Sequence, residues 1–298
     1  MKFTLQLPVQ AQSTMFAEPW EAGAGAAEIV AVARAADESG FHAIGACEHV
    51  ALPPHRAERM GRHWADPVAV LSLCAGVTSR VRLMTYVYLL ALRHPLMAAN
   101  QLATLDWLSG GRLIVGVGAG HVEEEFAALG VDYATRGTRL TQAITALRAC
   151  FTDEMPDLDP PFETSGLALQ PRPVQSPPPI YVAGSSPAAV RRAARVGDGW
   201  LPQGPATPEL LAMLSEERER VGGAPLVTGH IAGVVHVGSP SWEVGGHVLS
   251  GRPEYLAEQL ASRMPAVDLC QVMFRSRSAA ELADQVRAFG TEVAPLVP

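Results

Sequence analysis

Short apolar runs alternate with amphipathic stretches along almost the whole chain. Runs of this kind, bounded by glycine, proline or polar residues, predict β-strands. The predicted strands cover residues 2–7, 42–48, 81–88, 113–117, 180–183, 198–201, 227–237 and 267–274.

Between these runs, apolar residues recur at the spacing of one helix face. Ile29, Val32, Ala33 and Ala36 share such a face before Gly40. The same spacing returns at Leu140, Ile144, Leu147 and Phe151. Cap residues and prolines predict further helix starts at Asp66-Pro67, Pro95, Ser186-Pro187, Thr207-Pro208, Pro253 and Ser278, the last with a capping box to Glu281.

Strands that alternate with helices predict a parallel sheet, and a count of eight favours closure into an α/β (β/α)8 TIM barrel. No break in composition divides the chain, so residues 1–298 are expected to form a single domain. An open doubly wound sheet is the alternative. The stretch 50–63 is expected to be a loop, and the proline-rich stretch 152–178 an excursion between strands four and five with a hairpin over 162–170. Both topologies place a ligand site at the carboxyl ends of the strands.

Three glycines follow one another at the end of the fourth predicted strand, at Gly116, Gly118 and Gly120. Bare backbone there allows a flat ligand to lie against Gly118, Ala119 and Gly120. A tight turn without a ligand explains the same glycines equally well. The spacing also lacks the GxGxxG pattern of a Rossmann fingerprint. The acidic residues 123–125 then open a helix, where they suit the positive end of its dipole.

The other predicted strand ends carry side chains suited to chemistry. These are Gln6, His49, residues 86–88, His121, residues 184–186 and Arg275. A histidine at a strand end suits proton transfer near neutral pH, and a histidine held by loop backbone is the alternative for His49. Glu48 and His49 are adjacent in a predicted strand, so their side chains point to opposite faces and do not form a simple pair.

The segment 182–187 predicts an anion site. A strand ends, Gly184 permits close approach, and a helix that starts at Pro187 presents free amides beside Ser185 and Ser186. Phosphate is the usual occupant of such a turn, and a plain N-cap by Ser186 is compatible with it. Arg275 is a further candidate for binding the same charge.

Composition narrows the classes of partner and compartment. Net charge is 23 − 30 = −7 without a basic run, which disfavours nucleic acid and anionic membranes as partners. No apolar stretch reaches the roughly 20 residues that span a bilayer, and residues 1–8 resemble a first strand rather than a signal peptide. Four widely spaced cysteines predict free thiols in a reducing cytoplasm.

Several other kinds of site are disfavoured. His49, His55 and His63 lack metal-ligand spacing, so no metal site is expected. No GxSxG elbow of an acyl hydrolase is present. Trp64, Trp107 and Trp242 are interpreted as packing residues.

With these residues in hand, the chain resembles the luciferase-like monooxygenase superfamily, in particular its branch that uses the deazaflavin coenzyme F420. The resemblance covers nearly the whole length. It rests on the segments 40–53, 109–126 with 136–140, and 183–186 with 197–200. Two positions depart from the pattern: Glu48 stands where many deazaflavin members have Asp, and His121 where some dehydrogenases have a catalytic Glu.

The resemblance implies an eight-stranded barrel, usually a homodimer, that holds a flavin or deazaflavin over the strand ends. It implies that Ala183, Gly184, Ser185 and Ser186 bind the cofactor phosphate and that Thr85, Tyr86 and Val87 flank the ring. It implies a catalytic or supporting role for His49, and a cis peptide at Tyr86–Val87. The departure at His121 makes this second histidine a candidate catalytic residue. Helices around residues 66–78 and 95–109 would form the dimer face.

Three functional hypotheses follow. The first is a cytoplasmic oxidoreductase that transfers a hydride between F420 and a small or medium organic substrate. The second is an FMN-dependent monooxygenase. The third is a cofactor-binding homologue without turnover.

Overall fold

A computed structural model describes residues 1–11, 13 and 17–298. In this part of the chain the strands are β1 Lys2–Gln6, β2 Ala43–Ala46, β3 Arg82–Thr85, β4 Leu113–Val117, β5 Ile180–Ala183, β6 Gly199–Leu201, β7 Val227–Val237, β8 Leu249–Gly251 and β9 Leu269–Phe274. The helices are α1 Ala26–Glu38, α2 Pro54–Met60, α3 Pro67–Ala75, α4 Pro95–Ser109, α5 Glu123–Ala128, α6 Arg136–Thr152, α7 Pro187–Val196, α8 Pro208–Arg220, α9 Pro253–Arg263 and α10 Ala279–Ala288.

The strands close into a barrel. The sheet order is β6-β5-β4-β3-β2-β1-β9-β7-β8, and β6 also pairs with β7, so eight strands form a ring. Every pairing between these strands is parallel. The prediction of a (β/α)8 barrel is therefore confirmed, and the open sheet was the wrong alternative.

The departures from the predicted elements are local. The predicted loop 50–63 contains α2, a short helix that has Pro54 at its first position and no apolar period to reveal it. The predicted hairpin over residues 162–170 is wrong, because the only pairing there is a single antiparallel bridge between Leu158 and Thr164. The short β8 was not predicted, since three residues with two small ones carry no alternation.

The predicted helix starts are confirmed at all six prolines and caps. One capping detail differs. Ser278 accepts a hydrogen bond from the amide of Glu281 at 3.1 Å, as expected for an N-cap. The Glu281 carboxylate does not complete the box at Ser278, and instead accepts from the amide of Arg277 at 2.7 Å.

Alternation along the strands builds two apolar layers. One fills the barrel interior and consists of Ala43, Met84, Ile114, Tyr181, Leu201 and Leu269. The other lies between the strands and the helices, and Leu113, Val115 and Val117 of β4 belong to it. Because β4 is covered on both faces, all five of its residues are buried, as its continuous apolar run predicts.

The glycines at the end of β4 make room for the end of β3. A Cβ at Gly116 would overlap the carbonyl oxygen of Thr85, and a Cβ at Gly118 would lie 2.6 Å from Cγ2 of Val87. The hydroxyl of Thr85 donates to the carbonyl of Gly116 at 2.8 Å. The absent side chains therefore serve close strand packing at these two positions.

We expect Gly116→Ala to lower the free energy of unfolding by about 3 kcal/mol, because the added methyl meets rigid backbone rather than a movable side chain. Gly76→Ala is the matched control. Gly76 has right-handed helical geometry, and its nearest Cβ contact would be 3.7 Å, so the free energy should change by less than about 1 kcal/mol. Urea unfolding measures both, and equal stabilities of the two variants would contradict the crowding argument.

The pH dependence of stability should report on His42, which precedes β2. Burial, with the charges of Lys2 and Arg82, lowers the pKa of His42 from 6.5 to about 4. The unfolded chain then binds the extra proton first, so stability is full above pH 6.5 and falls as the pH drops towards 4. We expect His42→Gln to flatten this slope in chemical unfolding between pH 4.5 and 7. The exposed His63→Gln variant serves as control, and parallel curves for His42→Gln and the parent chain would refute the assignment.

Candidate functional site

The carboxyl ends of the strands form the mouth of the barrel, and a buried hydrogen bond between a histidine and a carboxylate lies there. His49 follows β2, and its Nδ1 lies 2.9 Å from Oε2 of Glu125 in α5. Oε1 of Glu125 accepts from the amides of Val50 at 2.6 Å and Ala51 at 3.2 Å. His49 is 8% exposed and Glu125 1% exposed. Burial alone would raise the pKa of Glu125, but the hydrogen bonds from His49 and the two amides hold it below its usual range.

Two further rings surround His49. The ring of Trp64 packs edge-to-face against the His49 ring, with 4.5 Å between the ring centroids. The ring of His121 packs in the same way, with 5.2 Å between the centroids. Trp64 therefore packs as predicted, but it packs against the candidate catalytic histidine. The structure thus brings His49 and His121 together, although 72 positions separate them in the sequence, as 121 − 49 = 72.

His121 keeps contact with solvent while one side of its ring faces the site. Partial burial, together with the neighbouring His49, lowers the pKa of His121. A neutral imidazole at this position can both accept and donate a proton.

Glu48 points away from His49, as expected. It accepts from the amide of Leu89 at 2.6 Å and forms an ion pair with Arg93. The guanidinium of Arg93 also lies over the ring of Tyr88, 4.3 Å from its centroid. The side chain that replaces the Asp of the resembling pattern thus anchors the segment after β3 and stays outside the His49 cluster.

The three residues proposed to flank a ring have different surroundings. Thr85 is fully buried, with its hydroxyl bound to Gly116, so it supports the mouth from below. Tyr86 and Val87 are half-buried and pack against the interior cluster. The peptide between Tyr86 and Val87 is cis, which confirms the prediction made from the resemblance.

Directly after β4, Gly118 is buried against Val87, while Ala119 and Gly120 are half-buried at the rim. Gly120 has a φ of 78°, and a Cβ there would meet the ring of Phe126 at 2.8 Å. Backbone in this conformation favours glycine and brings the chain past the helix that carries Glu125.

The turn between β5 and α7 has the geometry of an anion site. Oγ of Ser186 accepts from the amide of Ala189 at 3.3 Å, which confirms the N-cap. Oγ of Ser185 accepts from the amide of Gln203 at 2.9 Å and tethers the turn to the end of β6. Pro187 has no amide hydrogen and the amide of Ala189 is bound by Ser186, so within the first turn of α7 the amide of Ala188 remains available for an anion. Gly184 has a φ of 120°, and a Cβ there would lie 2.8 Å from that of Ala189, so this position requires glycine for folding as well.

Sequence reasoning missed two arginines beside this turn. Arg192 of α7 packs over Gly137 at the start of α6, and its Nε donates to the hydroxyl of Thr141 at 3.0 Å. Arg136 lies over the ring of Tyr133, 3.8 Å from its centroid. Neither guanidinium has a carboxylate within 4.0 Å in the described part of the chain. Burial and the charge of Arg136 lower the pKa of Arg192, as expected for a cation without a counter-charge.

Arg275 does not join this anion site. It follows β9, which is separated from β5 by β6 and β7 in the ring of strands. Its guanidinium pairs with Glu18 and lies 5.8 Å from the ring centroid of Trp242. The prediction of a phosphate contact for Arg275 is therefore wrong, because its charge is already matched by Glu18.

Other predictions concern thiols, metals and the remaining tryptophans. All four cysteines are free, and burial raises the pKa of Cys47 to about 11. No cluster of potential metal ligands occurs among residues 1–11, 13 and 17–298. Within the same residues, no helix combines the length and apolar character needed to cross a bilayer. Trp242 packs against Arg275 and Arg277, whereas Trp107 is 59% exposed, so its interpretation as a packing residue fails for the isolated chain.

The chain is similar to curated proteins and solved structures over much of its length. An uncharacterized protein of Mycobacterium tuberculosis is 35% identical over 186 residues, which are 57% of this chain and 66% of that protein. The F420-dependent glucose-6-phosphate dehydrogenase of Beutenbergia cavernae is 35% identical over 179 residues, 58% of this chain and 52% of that enzyme. The chain thus spans less than two thirds of the length of these relatives.

Two solved structures show the same fold at low sequence identity. The oxygenating constituent of 3,6-diketocamphane monooxygenase from Pseudomonas putida, in complex with FMN, has a TM-score of 0.79 at 15% identity, covering 100% of this chain and 99% of that one. An F420-dependent secondary alcohol dehydrogenase with an F420-acetone adduct has a TM-score of 0.76 at 17% identity, with the same coverage. The luciferase-like monooxygenase family matches residues 1–239, and this chain belongs to that family.

Proposed function

We propose that this protein is an oxidoreductase that transfers a hydride between coenzyme F420 and a small or medium organic substrate. The observation that carries the proposal is the His49–Glu125 pair at the barrel mouth, in which Nε2 of His49 has no hydrogen-bond partner among the described residues. The 35% identity to an F420-dependent dehydrogenase supports this choice of cofactor.

The residues at the mouth fit an extended anionic cofactor. The free amide of Ala188 in the first turn of α7 and the guanidinium groups of Arg136 and Arg192, which have no carboxylate partner, provide positive potential on one side of the mouth. Tyr86 and Val87, with the rim glycine Gly120, offer a half-exposed apolar surface for a planar ring. When bound, the deazaflavin supplies the hydride acceptor or donor.

The protein supplies position and proton transfer. In the oxidative direction, Nε2 of His49 would accept the proton of a substrate hydroxyl, while the carbon that bears the hydroxyl would give its hydride to the bound deazaflavin. In the reductive direction, the protonated ring returns that proton to the carbonyl oxygen. His121, which touches both His49 and solvent, is proposed to exchange the proton with water.

An FMN-dependent monooxygenase is the second candidate, because an FMN complex shares the fold with a TM-score of 0.79. FMN carries a single phosphate and activates oxygen once reduced, so the two candidates differ in cofactor affinity and in oxygen use. A homologue that binds cofactor without turnover is the third candidate. We do not propose a sugar phosphate, the substrate of one relative, for this chain, because His121 stands where some such dehydrogenases have Glu.

The cofactor assignment is tested by titration of the purified protein with F420 and with FMN, followed by incubation with a panel of alcohols. We expect tighter binding of F420 and its reduction by an alcohol without oxygen. Arg192→Ala should weaken F420 binding at least about tenfold, because a charge-assisted contact contributes roughly 1.5–3 kcal/mol. Arg191→Ala, on the same helix but paired with Glu217, is the matched control.

Tight FMN binding with oxygen consumption would instead establish the monooxygenase. Binding of F420 without turnover on any alcohol or carbonyl compound of the panel would favour the homologue without turnover.

We further propose a homodimer in the cytoplasm. Exposed apolar side chains occur on α3 and α4, at Leu73, Met97, Trp107 and Leu108, and Trp107 is 59% exposed. The free cysteines suit a reducing compartment. The negative net charge favours a small-molecule substrate over nucleic acid.

Sedimentation velocity at micromolar concentration should show a dimer, and Trp107→Glu should shift it to monomer because a buried charge would be unpaired in the interface. Met155→Glu is the control, since Met155 is similarly exposed but lies on the excursion after α6. A monomeric parent protein would contradict the proposed face.

A further inference from the structure

We propose that Glu125 is the positioning residue of His49: it fixes the ring proton on Nδ1, so that His49 meets its ligand as a hydrogen-bond acceptor at Nε2. A lone pair on Nε2 selects a ligand group that donates a hydrogen bond. We therefore infer that the substrate is an alcohol, which binds Nε2 through its hydroxyl. The substrate part of the inference rests on the proposed function, whereas the proton position does not.

The contacts of Glu125 determine the direction of each hydrogen bond. Its two oxygens meet three groups, of which two are backbone amides that can only donate. An ionised carboxylate only accepts hydrogen bonds. Glu125 is 1% exposed and His49 is 8% exposed, so the bonds from the amides of Val50 and Ala51 hold the carboxylate in one arrangement. Nδ1 of His49, 2.9 Å from Oε2, must therefore carry a hydrogen.

A neutral imidazole has a single N–H, so a hydrogen on Nδ1 leaves a lone pair on Nε2. The rings of Trp64 and His121 contact the His49 ring by edge-to-face packing at interplanar angles of 83° and 82°. These contacts and the Glu125 bond restrict rotation of the ring. No described residue donates to Nε2, which leaves this lone pair for a ligand.

Glu125→Gln should invert the arrangement. The amides of Val50 and Ala51 both require an acceptor, so the carbonyl oxygen of the glutamine takes the place of Oε1. Its NH2 group then faces Nδ1 of His49. Two donors cannot share that contact, so the ring proton moves to Nε2 and the group presented to the ligand becomes a donor.

The experiment is NMR of protein labelled with 15N in its nine histidines, without added cofactor, at a pH where the ring is neutral. His49 is assigned by the signals lost in a His49→Asn variant. The parent protein and the matched control Glu124→Gln, whose carboxylate is half-exposed and pairs with His55 and Arg56, should show the Nδ1–H tautomer. Glu125→Gln should show the Nε2–H tautomer.

An Nε2–H tautomer in the parent protein overturns the proposal without any variant, as does an unchanged tautomer in a folded Glu125→Gln protein.

Kinetics with F420 and an alcohol give a second test. The kcat of Glu125→Gln should fall by about 10²–10⁴ while F420 affinity changes less than about twofold, because Nε2 of His49 no longer has a lone pair to accept the proton. An unchanged kcat would also contradict the proposal. Absence of F420 turnover in the parent protein would defeat the proposed function alone, and the tautomer comparison would still decide the role of Glu125.

Discussion

The organisation of the barrel mouth depends on one buried carboxylate. Glu125 joins α5 to the segment after β2 through a charged hydrogen bond to His49 and two bonds from backbone amides. A carboxylate that is 1% exposed has lost its hydration, and three donors are needed to offset that cost. Removing one partner of such a buried hydrogen bond leaves the other polar group unsatisfied and costs about 1–3 kcal/mol. The same bonds that secure the loop therefore also orient the histidine.

The rest of the barrel brings these groups to one place. Gly116 and Gly118 let the end of β3 cross closely over β4, which positions Tyr86 and Val87 at the mouth. The chain then passes Gly120 into α5, where Glu125 faces back towards β2. On the other side of the mouth, the first turn of α7 and Arg192 create positive potential. A proton-transfer group and an anion-binding turn thus lie around the same opening, as an anionic redox cofactor requires.

Local patterns predicted most of the architecture, because strand runs, caps and prolines act within a few residues. β4 and α4 have the bounds that the sequence predicts, and His49 stands at the mouth as expected. The role of Glu125 could not be predicted, since residues 123–125 are three glutamates of equal appearance and only tertiary packing buries the third. Arg192 was missed for the same reason, because its partners Gly137 and Thr141 are distant in the sequence. Trp64 was predicted to pack, but the sequence did not show that its partner is His49. Arg275 was assigned wrongly because its strand end was known while its counter-charge, Glu18, was not.

The most direct test of the account is a crystal structure with F420 and the ketone product of an alcohol that the enzyme oxidises. We expect the cofactor phosphate at the amide of Ala188 in the first turn of α7 and the ring against Tyr86 and Val87. We also expect the substrate oxygen about 2.6–3.2 Å from Nε2 of His49, the reach of proton transfer. A cofactor bound elsewhere, or a substrate oxygen out of reach of Nε2 with the His49–Glu125 bond intact, would contradict the account.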